Sequence, residues 1–331
     1  MSFSILDENP MQRYVPTEDE LNSMCAEYQI GHVLAVPGEL GGLFNVNVQV
    51  TTTTGDYVFR VHSGLSRKNH MDAQALLLAK LLQNNVPALT PLRTKRGETF
   101  LTLHNRFVQV TRFITGSPFQ YTQQQADALG KMLRRFHDAL SDEEAVPIPY
   151  WSNYPSNAIL LEEMDILREQ QQDGLHDPRL VREVEALHQL VMEQWEAKAN
   201  ECVKTVIHAD WHAWNVIFNA HNQVEHILDF DGLQRGERIH DIAYFIWSLR
   251  NRSDCAEIGR DFMRGYGAIS PVEKHLLPFA VARACVFFLC TASFTANPTQ
   301  ELTEQMKVQK PYIEWLLSHD GQQTIRKQVS C

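Results

Sequence analysis

Between residues 205 and 231 the chain reads TVIHADWHAWNVIFNAHNQVEHILDFD, and its polar residues fall in an order that suits phosphoryl transfer. His208, Asp210 and Asn215 lie in a polar stretch bracketed by Val206-Ile207 and Val216-Ile217-Phe218. A turn at 219–222 and a short run, His226-Ile227-Leu228, then deliver Asp229, with Asp231 two residues on. Moving a phosphoryl group needs a carboxylate at the attacking hydroxyl, and a carboxamide and a second carboxylate to hold Mg²⁺ against the phosphates. The spacing H-x-D-x-x-x-x-N followed by D-F-D supplies that set, and strand ends on both sides would hold it on a rigid base. The same letters admit a different chemistry, because His208, Asp210 and His212 also begin a two-histidine, one-carboxylate iron site of oxygenase type. Such a site normally sits in a strand-rich scaffold, whereas the chain after residue 240 reads as helical.

The elements that must carry these residues follow from periodicity and turn chemistry. Thr17 and Glu20 form a capping box ahead of a helix to about Tyr28, with Leu21, Met24 and Cys25 on one face. Residues 32–62 alternate as strands, with turns at 38–42 and 54–56. A helix over 70–83 carries Met71, Ala75, Leu78 and Leu82 at 3–4 spacing, and strands follow at 99–103 and 107–113. The pattern breaks at 114–118, and a helix from Thr122 to Leu140 buries Ala126, Leu129, Leu133 and Phe136, with His137 beside that face as a packing residue. A loop rich in Pro and aromatics, AVPIPYWSNYP, opens the segment 141–200, which continues as two helices either side of 174–178. Another helix starts at Arg238, and more are expected near 253–267, 271–292 and 299–318.

The 208–241 segment resembles the aminoglycoside phosphotransferase and choline kinase superfamily of small-molecule kinases. Its usual motif reads H-G-D-x-H-x-x-N, followed by I-D-F or I-D-W. Here the residues are His208-Ala209-Asp210-Trp211-His212-Ala213-Trp214-Asn215, then Leu228-Asp229-Phe230-Asp231. Ala209 stands where Gly is usual, and Ala213-Trp214 where Pro-Gly is common. The resemblance implies an α+β, bilobal protein-kinase-like fold: a strand-rich nucleotide-binding lobe over 1–111, a hinge at 112–116, and a helical lobe over 117–331 with the catalytic loop and acceptor site. It implies Asp210 as the catalytic base with His208 shaping the catalytic loop, Asn215 and Asp229 as metal ligands, and Asp241 as a brace beneath the loop. The turn Gly41-Gly42-Leu43-Phe44-Asn45 is similar to the family's G-G-x-x-N nucleotide-covering turn. On that likeness Gly41, Gly42, Asn45 and Arg60 meet the nucleotide, and the main chain of Arg112 and Ile114 pairs with the adenine edge. Gln74 stands where a Glu usually pairs with the strand cation; it can accept a hydrogen bond from Arg60 without neutralising it, or be an exposed helix residue without a role. ATP or GTP is the implied cosubstrate, with Mg²⁺ as cofactor.

A length of 331 residues allows a sizeable core in two lobes. The net charge of −10 and pI near 5.8 argue against nucleic-acid or anionic-membrane partners. Six scattered cysteines without a C-x-x-C pair suit reduced thiols in a cytoplasm, and the N-terminal stretch lacks a signal-peptide core. The apolar stretch 276–292 contains Pro278 and Arg283 and reads as a buried helix. Segment 141–200 holds thirteen acidic residues against four basic ones. A cleft of one sign concentrates ligands of the other, so the expected acceptor is a cationic, aminoglycoside-like hydroxyl compound; the plainer alternative is that these acids solvate helix faces. Trp151, Tyr154, Trp211 and Trp214 are candidate stacking or cation–π surfaces for it, and Asp231 a further candidate contact. A metabolite acceptor (homoserine, choline or a sugar), an inactive nucleotide binder and the iron oxygenase stay open beside this reading.

Overall fold

The computed structural model describes residues 13–42, 45–295 and 297–329, so Leu43 and Phe44 of the glycine turn lie outside the described residues. By its internal contacts the chain divides into two compact units. One comprises the described residues to Gln83 with Ala88–Gly116; the other comprises Asn84–Pro87 and the chain from Ser117.

The first unit begins with α1 (Glu18–Tyr28), whose N-terminus is a reciprocal capping box. Thr17 Oγ1 accepts the Glu20 N–H at 3.3 Å, and the Glu20 carboxylate accepts the Thr17 N–H at 2.8 Å. Two otherwise orphaned amides are satisfied this way. Five strands follow: β1 (Val33–Glu39), β2 (Val46–Thr52), β3 (Gly55–Val61), β4 (Leu101–Leu103) and β5 (Arg106–Arg112). They form one antiparallel sheet in the order β1-β2-β3-β5-β4. Strand alternation places Val46, Val48, Val50, Tyr57, Phe59, Val61, Val108 and Val110 in one core with Leu21, Met24 and Cys25. Arg60, between Phe59 and Val61, therefore points to the opposite face of the sheet.

Helix α2 (Lys68–Gln83) lies between β3 and β4 in the chain and corrects the expected stripe. It buries Met71, Gln74, Leu77, Leu78 and Leu81, whereas Leu82 is 46% exposed. The buried stripe runs through a glutamine, which a count of apolar letters rejects. Gln74 is not an exposed bystander: its Oε1 accepts from Gln109 Nε2 at 3.1 Å, and Gln109 Oε1 meets His62 Nε2 at 3.0 Å. Burial of these polar groups is tolerated because they are hydrogen-bonded.

The second unit is mostly helical: α3 (Gln123–Ala139), α4 (Asn157–Gln172), α5 (Pro178–Glu196), α6 (Ile239–Ser248), α7 (Cys255–Tyr266), α8 (Pro271–Cys290), α9 (Pro298–Leu317) and α10 (His319–Gln328). Helix α8, which holds most of the apolar stretch, is buried along most of its length, with α5, α6 and α9 packed against it. Among the described residues no helix is long and apolar enough to cross a membrane. Four short strands form two separate antiparallel ribbons: β6 (Lys204–Ile207) with β9 (Gln234–Glu237), and β7 (Val216–Phe218) with β8 (Val224–Ile227). An antiparallel sheet early in the chain and helices late give the expected α+β architecture. Two elements were not foreseen. Strand β9, QRGE, has no apolar alternation and exists through pairing with β6; a Cβ at Gly236 would lie 2.7 Å from Ile207 Cδ1. Helix α10, HDGQQTIRKQ, has a single large apolar residue, Ile325, and buries it.

Candidate active site

The chain leaves β6 at His208, and the bend that follows is held from beneath by Asp241 in the first turn of α6. Asp241 is fully buried. Its Oδ2 accepts the His208 N–H at 2.8 Å and meets His137 Nε2 at 3.0 Å, and its Oδ1 accepts the Ala209 N–H at 2.9 Å. With Nε2 of His137 donating, its Nδ1 accepts from the Tyr266 hydroxyl at 2.9 Å. Burial opposes the Asp241 charge, but His137 and the neighbouring His240 and His208 overcome it and hold the carboxyl below its ordinary range. His137 is thus more than packing: it ties α3 to the base of the catalytic loop, a role no local spacing signals. Ala209 is buried and takes a left-handed backbone, φ +64°. The left-handed region costs a non-glycine residue roughly 1–2 kcal/mol, which is the physical reason for the glycine usual at this place.

His208, grouped with Asp210 as a catalytic-loop residue, is fully buried, so its part is to shape the loop and not to meet a reacting group. Its Nε2 donates to the Leu228 carbonyl at 2.9 Å, its Nδ1 has no hydrogen-bond partner, and its ring packs on Phe136, Trp211 and Phe230. It staples the loop to the end of β8 and cannot touch a reacting group.

Asp210 sits at the loop's open side with 22% of its side chain exposed. Asn153 Nδ2 donates to Oδ1 at 2.7 Å and Asn215 Nδ2 to Oδ2 at 2.8 Å. His212 Nδ1 accepts the Trp214 N–H at 3.1 Å, so its Nε2 carries the proton and faces Asp210 Oδ1 at 3.4 Å. Burial works against ionisation, but the His212 and His208 rings and the Asn215 amide outweigh it and depress the Asp210 pKa. Asn153 also donates to the Tyr244 hydroxyl at 3.1 Å. Burial first, then the Asp210 charge, push the Tyr244 phenol well above its usual range, so it stays protonated. The loop bearing Asn153 is anchored by the buried Arg283, which donates to the Pro155 carbonyl and, at 3.2 Å, to Asn157 Oδ1. Asn153 and Tyr244 escaped sequence reasoning because neither stands at a diagnostic spacing, whereas His212 was visible inside the motif.

On the other side of the loop the β7–β8 pairing continues to the Leu228 N–H, which donates to the Asn215 carbonyl at 2.8 Å. Asn215 and Asp229 are therefore neighbours across a ribbon end. The Asn215 amide nitrogen is turned to Asp210, which leaves its Oδ1 as an acceptor, and Asp229, half-buried at φ +60°, turns the chain out of the ribbon. One carboxylate and one amide oxygen suit Mg²⁺, which keeps several waters and takes its remaining oxygens from phosphates. Asp231 lies half-buried in the next turn.

In the first unit Gly41 has φ +91° and Gly42 φ +126°; a Cβ on Gly42 would meet the Asn45 carbonyl oxygen at 2.5 Å, so the turn needs glycine there. Asn45 Oδ1 accepts the Ser63 N–H at 3.0 Å. Arg60 is half-buried in the middle of β3, opposite Asn47 and Gln109. Arg112 ends β5 with its guanidinium 5.9 Å from the Tyr57 ring centroid, and Ile114 follows two residues later.

Three expectations change. Trp211 is 1% exposed and packs on Phe136 and His208, and Tyr154 is 8% exposed with its hydroxyl bonded to Glu237, so neither presents a ring to a ligand. Trp214, 80% exposed, and the half-buried Trp151 keep ring surface open to solvent. The acids of 141–200 mostly cover solvent faces of α4 and α5. Glu162, Asp165, Glu169 and Glu193 are exposed, Arg168 pairs with Asp165 and Glu185, and Lys310 with Glu183. The charge excess is thus a solvated face, and the argument from it to a cationic acceptor falls. The iron triad also fails. The His208 ring faces a carbonyl, His212 Nδ1 is held by an amide, and among the described residues no three His, Cys, Asp or Glu gather as a metal site.

The sequence profile of the phosphotransferase enzyme family matches residues 40–277, the span that holds both the glycine turn and this loop. The chain belongs to this family. Curated relatives include the homoserine kinases of Granulibacter bethesdensis, 26% identical over 84% of the chain and 86% of the relative, and of Gluconobacter oxydans, 27% identical over 82% and 86%. The fold matches that of a microcompartment-associated aminopropanol kinase, with a TM-score of 0.69 at 14% identity over 92% of the chain and 99% of that structure. It also matches a spectinomycin phosphotransferase in complex with ADP and spectinomycin, at 0.66 and 15% over 93% and 99%. This family member is a phosphotransferase acting on small-molecule hydroxyls.

Proposed function

We propose that the protein transfers the γ-phosphate of ATP to a hydroxyl of a small, amine-bearing metabolite, homoserine or a close analogue, in the cytoplasm. The observation that carries the reading is the arrangement of Asp210, Asn215 and Asp229. A carboxylate held by side-chain amides stands beside an amide oxygen and a second carboxylate across a ribbon end. The acceptor class rests on the homoserine kinases among the relatives.

On this reading Asp210 orients the acceptor hydroxyl. Its depressed pKa keeps it ionised at neutral pH, and a weak base suffices because the phosphoryl group is largely detached before the proton leaves. The proton passes from the hydroxyl oxygen to an Asp210 oxygen as that hydroxyl bonds to phosphorus. Asn215 and Asp229 would hold Mg²⁺, which when bound offsets charge on the phosphates. Gly41 and Gly42 leave room for phosphate oxygens near backbone amides, with Asn45 shaping the turn. Arg60 supplies a guanidinium fork. The main chain of Arg112 and Ile114, in a hinge at 112–116, meets the adenine, and Asp231, Trp214 and Trp151 are the remaining acceptor contacts.

The test is ADP release by the purified protein with MgATP or MgGTP against homoserine, choline, 3-aminopropan-1-ol, sugars and aminoglycosides. Asp210→Asn should lower kcat by at least roughly 100-fold, as loss of a positioned base does, with nucleotide affinity unchanged by calorimetry. A variant that keeps more than half of wild-type turnover removes Asp210 as the base. Preference for an acceptor without an amine removes the acceptor class.

A further inference from the structure

Tyr244, Trp247 and Arg250 follow one another at three-residue spacing along α6 and just past its end. They share one face, and the Tyr244 end of that face touches the catalytic loop through Asn153. The Tyr244 and Trp247 rings stack at 5.3 Å, Trp247 and Phe288 at 4.3 Å and 6°, and the Arg250 guanidinium lies 4.0 Å from the Trp247 ring centroid. That guanidinium is half-buried and has no acidic partner among the described residues. Nη1 donates to the Trp247 carbonyl at 3.2 Å, and Nε is buried without a hydrogen-bond partner. The titratable groups around it are Tyr244, Tyr312 and Cys285, all pushed up by burial and neutral at pH 7. Arg252, two residues on, shows the contrast, with a two-pronged pair to Asp254 at 2.8 Å on each arm.

A guanidinium does not shed its proton, so a partly desolvated one without a counter-charge is costly unless a ligand supplies the anion. Its fork matches a carboxylate, and stacking on an indole fixes the plane of the fork. From the catalytic loop outward, Asn153, Tyr244, Trp247 and Arg250 form one continuous run of contacts, with the guanidinium at its far end.

We propose that Arg250, held flat on Trp247, binds a carboxylate of the acceptor, so that the substrate is a hydroxy amino acid rather than an amino alcohol or an aminoglycoside. The proposal rests on the reading that Asp210 marks the acceptor hydroxyl. L-Homoserine and L-homoserinamide differ only in the carboxylate and make the test. Wild-type protein should show a KM for homoserine at least roughly 30-fold below that for the amide, the range of a charge-assisted hydrogen bond. Arg250→Gln, with a cooperative thermal transition retained, should erase the difference to within about threefold by raising the KM for homoserine more than that for the amide. Arg250→Lys should restore only part of it, because a point charge lacks the fork. Equal KM values in the wild type, or an Arg250→Gln variant that weakens both compounds alike, overturn the assignment. If neither compound is phosphorylated, the kinase reading for this acceptor class fails on its own. Calorimetry of the two compounds with MgADP then decides Arg250: tighter homoserine binding that Arg250→Gln abolishes upholds it, and equal or absent binding overturns it.

Discussion

Asp241→Asn isolates the brace beneath the catalytic loop with almost no change in volume. Asp241 Oδ2 serves His208 N–H and His137, and Oδ1 serves Ala209 N–H. An asparagine oxygen can keep the first pair, but its amide nitrogen then faces the Ala209 N–H, donor against donor. One charge-assisted hydrogen bond, about 1.5–3 kcal/mol, is lost and a buried amide is left unpaired. The remaining two bonds lose their charge assistance, so a total near 3 kcal/mol is expected. At about 2–4 °C per kcal/mol for a unit of this size, the calorimetric transition of the helical unit should fall by about 6–12 °C. Turnover should fall by about 100-fold if the loop shifts by an ångström. The pH dependence has a definite sign. The folded carboxyl lies below its unfolded value, so its stabilisation is complete above the unfolded pKa and is lost as pH falls through the folded one. The deficit of the variant should therefore be largest at neutral pH and shrink in acid. An unchanged Tm at pH 7, or a deficit that grows on acidification, refutes the brace.

Asp229→Ala should abolish Mg²⁺-dependent nucleotide binding in calorimetry, and unchanged affinity would move the metal elsewhere. Ala209→Val puts a β-branched residue at φ +64° beside Gly232, whose own Cβ would lie 3.2 Å from Ala209 Cβ; a loss of about 3 kcal/mol or more in chemical denaturation is expected, and a neutral result would deny the left-handed bend. Glu163 on α4 is 4% exposed, its Oε2 has no partner, and burial, then Glu162, raise its pKa to about 8. An acid with a raised folded pKa loses stability as pH climbs from its unfolded value through the folded one. Glu163→Gln should thus exceed the wild-type Tm at pH 8 and converge with it near pH 5; a constant gap would show that burial of charge is not the cause.

The loop's layout was legible because His208, Asp210, Asn215 and Asp229 stand at fixed spacings between apolar runs, and strand ends constrain what lies between them. Capping residues were legible for the same local reason: Thr17 and Glu20 need only each other. Residues that act across long sequence distances were not. Asn153 reaches Asp210 over 57 positions and His137 reaches Asp241 over 104, and nothing in their neighbours' hydropathy marks either. Composition misled where it averaged over geometry: the acids of 141–200 summed to an apparent cleft charge, yet a helix separates its solvent face from its buried one. Gln74 misled through the opposite habit, since a polar letter in an apolar stripe reads as exposed until its partner on β5 is known.

The two ribbons beneath the site do not merge into one sheet. A two-stranded ribbon is marginal by itself, and among the described residues the bonds between these ribbons and the loop they share include the His208 ring on Leu228 and the Asn215 amide on Asp210. Backbone ladders open cooperatively along their length, whereas side-chain staples release one at a time. In deuterium exchange the site would accordingly behave as two protection groups with a seam through it, β6–β9 on one side and β7–β8 on the other. A ligand that touches both groups would protect both together, so slowing of exchange at Ile207 and Leu228 in step would report assembly of the site without any chemistry taking place.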